Sequence, residues 1–173
     1  MHNTVEGHGF GLVQRGFIQL YMLCLTRCYD RASENRASLP HAVDLLRHQK
    51  MFEALTSRAR TWHPELADEN ERTAQQKLRA AITGYDGLIG DSAFNTALTA
   101  LRQHRDDYVA HNLVRMGDRE PLLFGYLADV LQGTLPVIAA LDFVARGVHW
   151  DPDDSIRVWE QHANEFWRRT LPR

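Results

Sequence analysis

Strand signals, metal-ligand spacings and membrane-length apolar runs are all scarce in this sequence of 173 residues. No long stretch alternates apolar and polar residues, and no Asn-Gly pair offers a tight hairpin turn, which argues against a sheet-built fold. Cysteine is limited to Cys24 and Cys28. Their spacing of four places both on one helical face and fits neither a zinc pattern nor a redox CxxC, so they read as two buried thiols in a reducing compartment. The longest apolar run, "FIQLYMLCL", is about half the length of a membrane span, and no small-residue cleavage site follows it. The protein is therefore expected to be cytoplasmic and not membrane-bound. HExxH, GxGxxG, the P-loop and GxSxG do not occur, which removes the common zinc-protease, dinucleotide, phosphate-loop and serine-hydrolase readings.

Charge of one sign is lacking too. Twenty Lys and Arg stand against 22 Asp and Glu, a formal net charge of −2. Strong sequence-independent binding to nucleic acid needs a large basic surface, so any such contact is confined to a local cleft. With 44% apolar residues, the chain has enough to build one domain with a real core, spanning residues 1–173.

What the sequence does contain is helical periodicity. The first nine residues are expected to fray. A first helix follows through "GLVQRGFIQLYMLCLTRCYD", with Phe17, Leu20, Leu23 or Cys24, and Cys28 on its apolar side. Ser38 suits an N-cap and Pro40 a first turn, so a second helix starts there and carries Val43, Leu46, Met51 or Phe52, and Leu55. Pro64 disfavours helix at His63. A third helix runs from about Glu65 to Tyr85, and the glycines of "GYDGLIGD" are expected to bend or stop the chain. Asp91 or Ser92 can cap a fourth helix ending near His111. Pro121 opens a fifth, through about Arg146, with Pro136 as a kink site. The last runs from Pro152 or Asp153 to about Thr170, its first-turn carboxylates favouring the macrodipole. Val158, Trp159, Ala163, Phe166 and Trp167 form its apolar face, read as packing with an exposed part suited to dimerisation. The expected architecture is an all-α, single-domain bundle of five or six helices.

One segment breaks the pattern: "LRQHRDDYVAHNL", residues 101–113. The apolar stripe of the fourth helix reads Phe94, Leu98, Leu101, then Tyr108, and the position between the last two holds Arg105. Asn112 continues the stripe beside His111. A buried guanidinium costs several kcal/mol unless partners satisfy it. Either Arg105 is ion-paired, by Asp106, Asp107 or an acid on another helix, or it serves chemistry. His111 lies six residues on, about 9 Å along a helix axis. An arginine offers planar donors to a phosphate, and a histidine exchanges protons near neutral pH. Together they suit phosphodiester cleavage: the arginine steadies charge on the phosphoryl oxygens, and the histidine moves protons to or from the 2′-hydroxyl or the leaving 5′-oxygen. A two-fold partner would bring a second pair to face the first.

"LRQHRDDYVAH" resembles the signature of HEPN domains, in which an arginine and a polar residue precede a histidine after a short spacer. The Arg-Asp and Ala-His form is most similar to the branch named after the abortive-infection protein AbiU2. "LTRCYDR…SLPHAVDLLR" resembles that branch's segment after the first long helix, and "LPVIAALDFVARGVHWDPDDSIRVWEQHANEFW" resembles its C-terminal end. The resemblance implies a HEPN-like helical homodimer whose two motifs line one cleft. It implies a metal-independent endoribonuclease, with RNA as substrate, leaving a 2′,3′-cyclic phosphate and acting as a toxin or phage-defence effector beside a cognate antitoxin. Arg105 would stabilise the pentavalent phosphate, His111 would be the acid or base, and Asp106 would orient Arg105 or the substrate. The other reading is a catalytically inactive HEPN-like module binding RNA or a protein partner.

Four further residues are candidates for substrate contact. Asp30 pairs with a motif arginine if the first and fourth helices pack together, or else is a helix-end carboxylate. Tyr108 stacks on a base or belongs to the core. Asn112 holds the His111 ring or a phosphate, or caps the helix. Arg102 is a cation flanking the motif. Nine histidines raise the question of a metal, yet His104 and His111, like His41 and His48, lie about 10 Å apart along an ideal helix. No metal and no cofactor are expected.

Overall fold

Among residues 5–35, 37–110 and 124–170, which the computed structural model describes, every regular element is a helix. Helix α1 spans Val5–Cys28, α2 Leu39–Arg47, α3 Gln49–Ala59, α4 Ala67–Gly90, α5 Ser92–His104, α6 Phe124–Arg146 and α7 Pro152–Thr170. A 3₁₀ turn at Pro64–Leu66 leads into α4, and a π-helical turn at Arg105–Ala110 follows α5. The expected all-α bundle is present, with seven helices because the second expected helix is two.

Several helix ends are set by local chemistry. Asp91 caps α5, its carboxylate accepting from the Phe94 amide at 2.7 Å. Pro40 sits in the first turn of α2, while the extended Ser38 before it makes no side-chain capping bond. Asp151 caps α7, accepting from the Asp153 amide at 2.9 Å.

Other expectations yield to tertiary packing. The chain breaks at His48, in extended conformation, so that α2 lies on α4 while α3 reaches both α4 and α6. The glycines of "GYDGLIGD" stop the helix later than expected: α4 runs past Tyr85, through Gly84 and Gly87, and ends at Gly90, where Asp91 is extended. At Gly84 an added Cβ would lie 3.3 Å from Val137, so the bare backbone serves the close crossing of α4 and α6. Helix α1 starts at Val5, within the stretch expected to fray. Its buried face is Met22, Leu25 and Thr26, continued by Tyr29 just after the helix, whereas Phe17 and Leu20 point to solvent. Cys24 is exposed and Cys28 half-buried, so the two thiols are not the buried pair expected. On α7, Val158, Trp159 and Phe166 keep much of their surface exposed, so that face is not the buried packing face expected.

Two apolar clusters make the core. The larger joins α1, α5 and α6 through Met22, Tyr29, Phe94, Leu98, Leu101 and Val130. The smaller holds α3 and α4 against the end of α6 through Ala59, Leu78, Val144 and the flanking Trp62 and Phe143. Helix α6 is long and apolar enough to cross a membrane by length and composition. The same composition serves a helix shared by both clusters, with Leu127, Val130, Val137 and Val144 buried.

Gly147 closes α6 in the left-handed region, φ +70°, its amide donating to the Phe143 carbonyl at 2.7 Å. An added Cβ there would sit 3.0 Å from the Trp62 ring. Left-handed strain and crowding act together, so Gly147→Ala is expected to cost about 1–3 kcal/mol. Chemical denaturation should show a lower midpoint at unchanged slope; an unchanged midpoint contradicts the close packing of Trp62.

Candidate active site

Arg105 begins where α5 ends, at the rim of the larger cluster. Leu101, one turn earlier, is fully buried, while the Arg105 side chain keeps 21% of its surface exposed. It therefore lies across the boundary between core and solvent. Two carboxylates hold it there. Asp106 accepts from its Nε at 2.8 Å, and Asp30 from its Nη1 at 3.4 Å; Nη2 takes part in neither contact. Asp106 and Asp30 together raise the guanidinium above its ordinary range against the opposing effect of burial, with the Asp106 hydrogen bond the largest cause. The cation is permanent in any case.

Asp30 comes from the residues just after α1. Its position depends on Tyr29, which is anchored three ways. The ring is buried against Phe94, edge to face at 5.4 Å. The hydroxyl lies 2.7 Å from Thr134 Oγ1 on α6. The carbonyl accepts a hydrogen bond from the Arg102 guanidinium on α5. So Arg102, a sequence candidate for substrate contact, reaches α1, three residues before Arg105 does the same. Tyr29 and Thr134 were not singled out from sequence; the only local signal was the position of Tyr29 beside Asp30.

The segment after Arg105 is not an α-helix. Arg105–Ala110 forms a π-helical turn lying against α1. Such turns carry i→i+5 hydrogen bonds and occur most often as single insertions at functional sites. The ideal-helix projection that sets Tyr108 on the stripe of Phe94 and Leu101 therefore does not carry through the motif. The backbone of Tyr108 belongs to this turn; its side chain, with His111 and Asn112, lies outside the described residues. The structure thus brings together Arg105, Asp106 and Asp30, with Arg102 behind them. His104, the last residue of α5, is half-buried, and burial lowers its pKa against the opposing influence of Asp107. Among the described residues, no three His, Cys, Asp or Glu side chains converge as metal ligands.

A family model for HEPN domains, described as AbiU2, matches residues 1–124. The match takes in Asp30, Arg102, the whole of 101–113 and helices α1 and α5, and stops at the first residue of α6, before Thr134. No curated protein and no solved structure matches the chain significantly.

The Tyr29 anchor makes an asymmetric prediction. Thr134 spends its one proton on the Val130 carbonyl, which leaves the Tyr29 hydroxyl as the donor between them. Tyr29→Phe removes that donor and strands nothing, for about 0.5–1.5 kcal/mol; Thr134→Val strands the buried phenol and should cost about 1–3 kcal/mol. Denaturation midpoints that reverse this order contradict the assignment. Burial also pushes the Tyr29 phenol up from 10.0 to about 12. The neutral form is favoured in the folded state, so its contribution is complete below pH 10 and is lost as pH rises through about 12. Wild type should lose stability across that window more steeply than Tyr29→Phe; parallel curves contradict it.

Proposed function

The chain belongs to the AbiU2 family of HEPN domains, and on that premise we propose that it is a metal-independent endoribonuclease working through Arg105 and His111. One observation carries the reading. The motif arginine stands at the core boundary in a non-α turn, oriented by Asp30 and Asp106, with part of its side chain still exposed. A side chain fixed in this way loses little freedom when it meets a phosphate, and fixed donors act on developing charge without reorganising.

In the proposed reaction the RNA 2′-hydroxyl attacks its own phosphate. Arg105 donates to the non-bridging oxygens as negative charge builds on them. His111 takes the 2′-hydroxyl proton or delivers one to the departing 5′-oxygen. The P–O5′ bond breaks, leaving a 2′,3′-cyclic phosphate and a 5′-hydroxyl. Asp106 and Asp30 hold the guanidinium plane, and Arg102 fixes the end of α1 that presents Asp30. Tyr108 and Asn112 are the nearest candidates in sequence for contact with base or phosphate. Two protomers line one cleft, so that each supplies one motif. A cytoplasmic toxin or phage-defence effector, restrained by a cognate antitoxin protein, is the biological role that fits this chemistry.

A second reading has its own support. Both carboxylates compete with an incoming phosphate for Arg105, and a firmly paired guanidinium suits a catalytically inactive module that binds RNA or a protein partner.

Cleavage of a broad RNA pool in excess EDTA separates the two. Wild type should cleave. Removing a positioned donor costs about 10²–10³ in rate and a general acid or base about 10²–10⁴, so Arg105→Ala and His111→Ala should each approach background. Asp30→Asn should lower the rate less than Arg105→Ala. Equal cleavage by wild type and the double variant contradicts the assignment, and silence from both, with RNA bound, favours the inactive module.

A further inference from the structure

Arginines without a partner are few among the described residues, and two of them flank the candidate site. Arg47, Arg60, Arg105 and Arg146 each pair with a carboxylate, as do the arginines of α7. Arg15, Arg58, Arg72 and Arg102 donate to backbone carbonyls. Of the described arginines, that leaves Arg27, Arg31 and Arg79, all exposed. Arg27 lies in the last turn of α1 and Arg31 just beyond its end.

The turn that carries them is the one that presents Asp30. The Asp30 amide donates to the Arg27 carbonyl at 3.1 Å, and the Asp30 carboxylate lies 3.4 Å from Arg105 Nη1. Asp30 is thus given to Arg105 and forms no ion pair with either neighbour. Glu34, the next acid along the chain, is exposed and makes no ion pair among the described residues. From Gly11 to Cys28, α1 carries no acid at all. A cation in the last turn of a helix complements the macrodipole, which accounts for Arg27. That effect falls off within the turn and gives no reason for the exposed Arg31 beyond it.

We propose that Arg27 and Arg31 clamp the backbone of a single-stranded RNA, holding phosphates that flank the one at Arg105. The proposal rests on the ribonuclease reading and extends its site. Around Asp30 the three guanidiniums divide the work. Arg105, paired and partly buried, is fixed for the reacting phosphate. Arg27 and Arg31, exposed on long stems, can each turn a planar fork of donors to a neighbouring phosphate. A polyanion whose charges repeat along a flexible chain matches such a set. Phosphate contacts position a strand without reading its sequence, so the clamp fixes where the RNA lies and leaves the choice of base to other contacts. It also supplies the local basic surface that a net charge of −2 denies the chain as a whole.

The test uses the full chain and a labelled 2′-O-methyl oligoribonucleotide, which has no free 2′-hydroxyl and so reports binding apart from cleavage. Each phosphate contact adds about 0.7 to the slope of log affinity against log salt on a single strand. Arg27→Gln with Arg31→Gln should therefore lower the slope by about 1.4, and its binding deficit should shrink about sevenfold between roughly 50 and 200 mM salt. Arg27→Lys with Arg31→Lys should keep the wild-type slope. Lys50→Gln with Arg79→Gln removes the same charge from α3 and α4 and should leave the slope unchanged. Circular dichroism should show equal helix content in all four proteins. The proposal is overturned by no binding to wild type, by a slope that the Arg27 and Arg31 changes leave alone, or by an equal fall in the Lys50 and Arg79 variant. Polyglutamate bound more tightly than the oligonucleotide through the same two arginines would assign them to an acidic protein partner and overturn it too. An unchanged slope in a protein that cleaves RNA leaves the ribonuclease standing without the clamp, whereas a lowered slope in a protein silent toward RNA leaves the clamp standing on an inactive module.

Discussion

The anchoring of Tyr29 is the constraint on which the candidate site depends. An aromatic ring at 1% exposure cannot shift without opening a cavity, and its phenol, desolvated, cannot leave Thr134 without stranding a donor. Ring, hydroxyl and carbonyl are held by α5 and α6 at once. The residue that follows, Asp30, inherits that fixed position and meets Arg105 at Nη1, while Asp106 meets it at Nε. A cation at the core boundary is thereby held by packing on one side and carboxylates on the other. The larger cluster and the site are one construction, because the helices that bury Leu101 and Phe94 also set the direction of the motif arginine.

The balance at Arg105 is electrostatic and finely set. A guanidinium partly removed from water needs partners, and two carboxylates supply them. Those partners also compete with a phosphate for the same donors. The longer contact, 3.4 Å to Asp30, is the weaker of the two and the one an incoming phosphoryl oxygen would displace more readily. With a net charge of −2 over the chain, long-range attraction of RNA is small, and recognition falls to such short-range contacts and to what a second protomer adds.

Sequence reading succeeded where structure is decided locally. The Asp91 cap, the Pro40 and Pro152 starts and the end of α6 at Arg146 each rest on the chemistry of a few neighbouring residues. So did the suspicion that an acid on another helix, Asp30 among them, would meet Arg105. It failed where helices meet. The break at His48 has no breaker residue; it lets α3 reach α6 as well as the α4 on which both helices lie. The run of α4 through Gly84 reflects the closeness of Val137, which no propensity records. In α1, apolar residues encircle the helix, so periodicity alone could not say whether Phe17 and Leu20 or Met22 and Tyr29 face inward. The π turn at Arg105 shifts the phase of the one segment that mattered most, and a projection with 3.6 residues per turn has no means of showing it.

The central claim is that RNA is cut by its own 2′-hydroxyl, with Arg105 and His111 in attendance and no metal. Terminal groups on the fragments report this most directly. RNA cleaved by purified wild-type protein in EDTA should carry 2′,3′-cyclic phosphates and 5′-hydroxyls, and a single 2′-deoxy substitution at a mapped site should abolish cutting there. Fragments ending in 3′-hydroxyls and 5′-phosphates, or cutting that survives loss of the 2′-hydroxyl, would contradict the account.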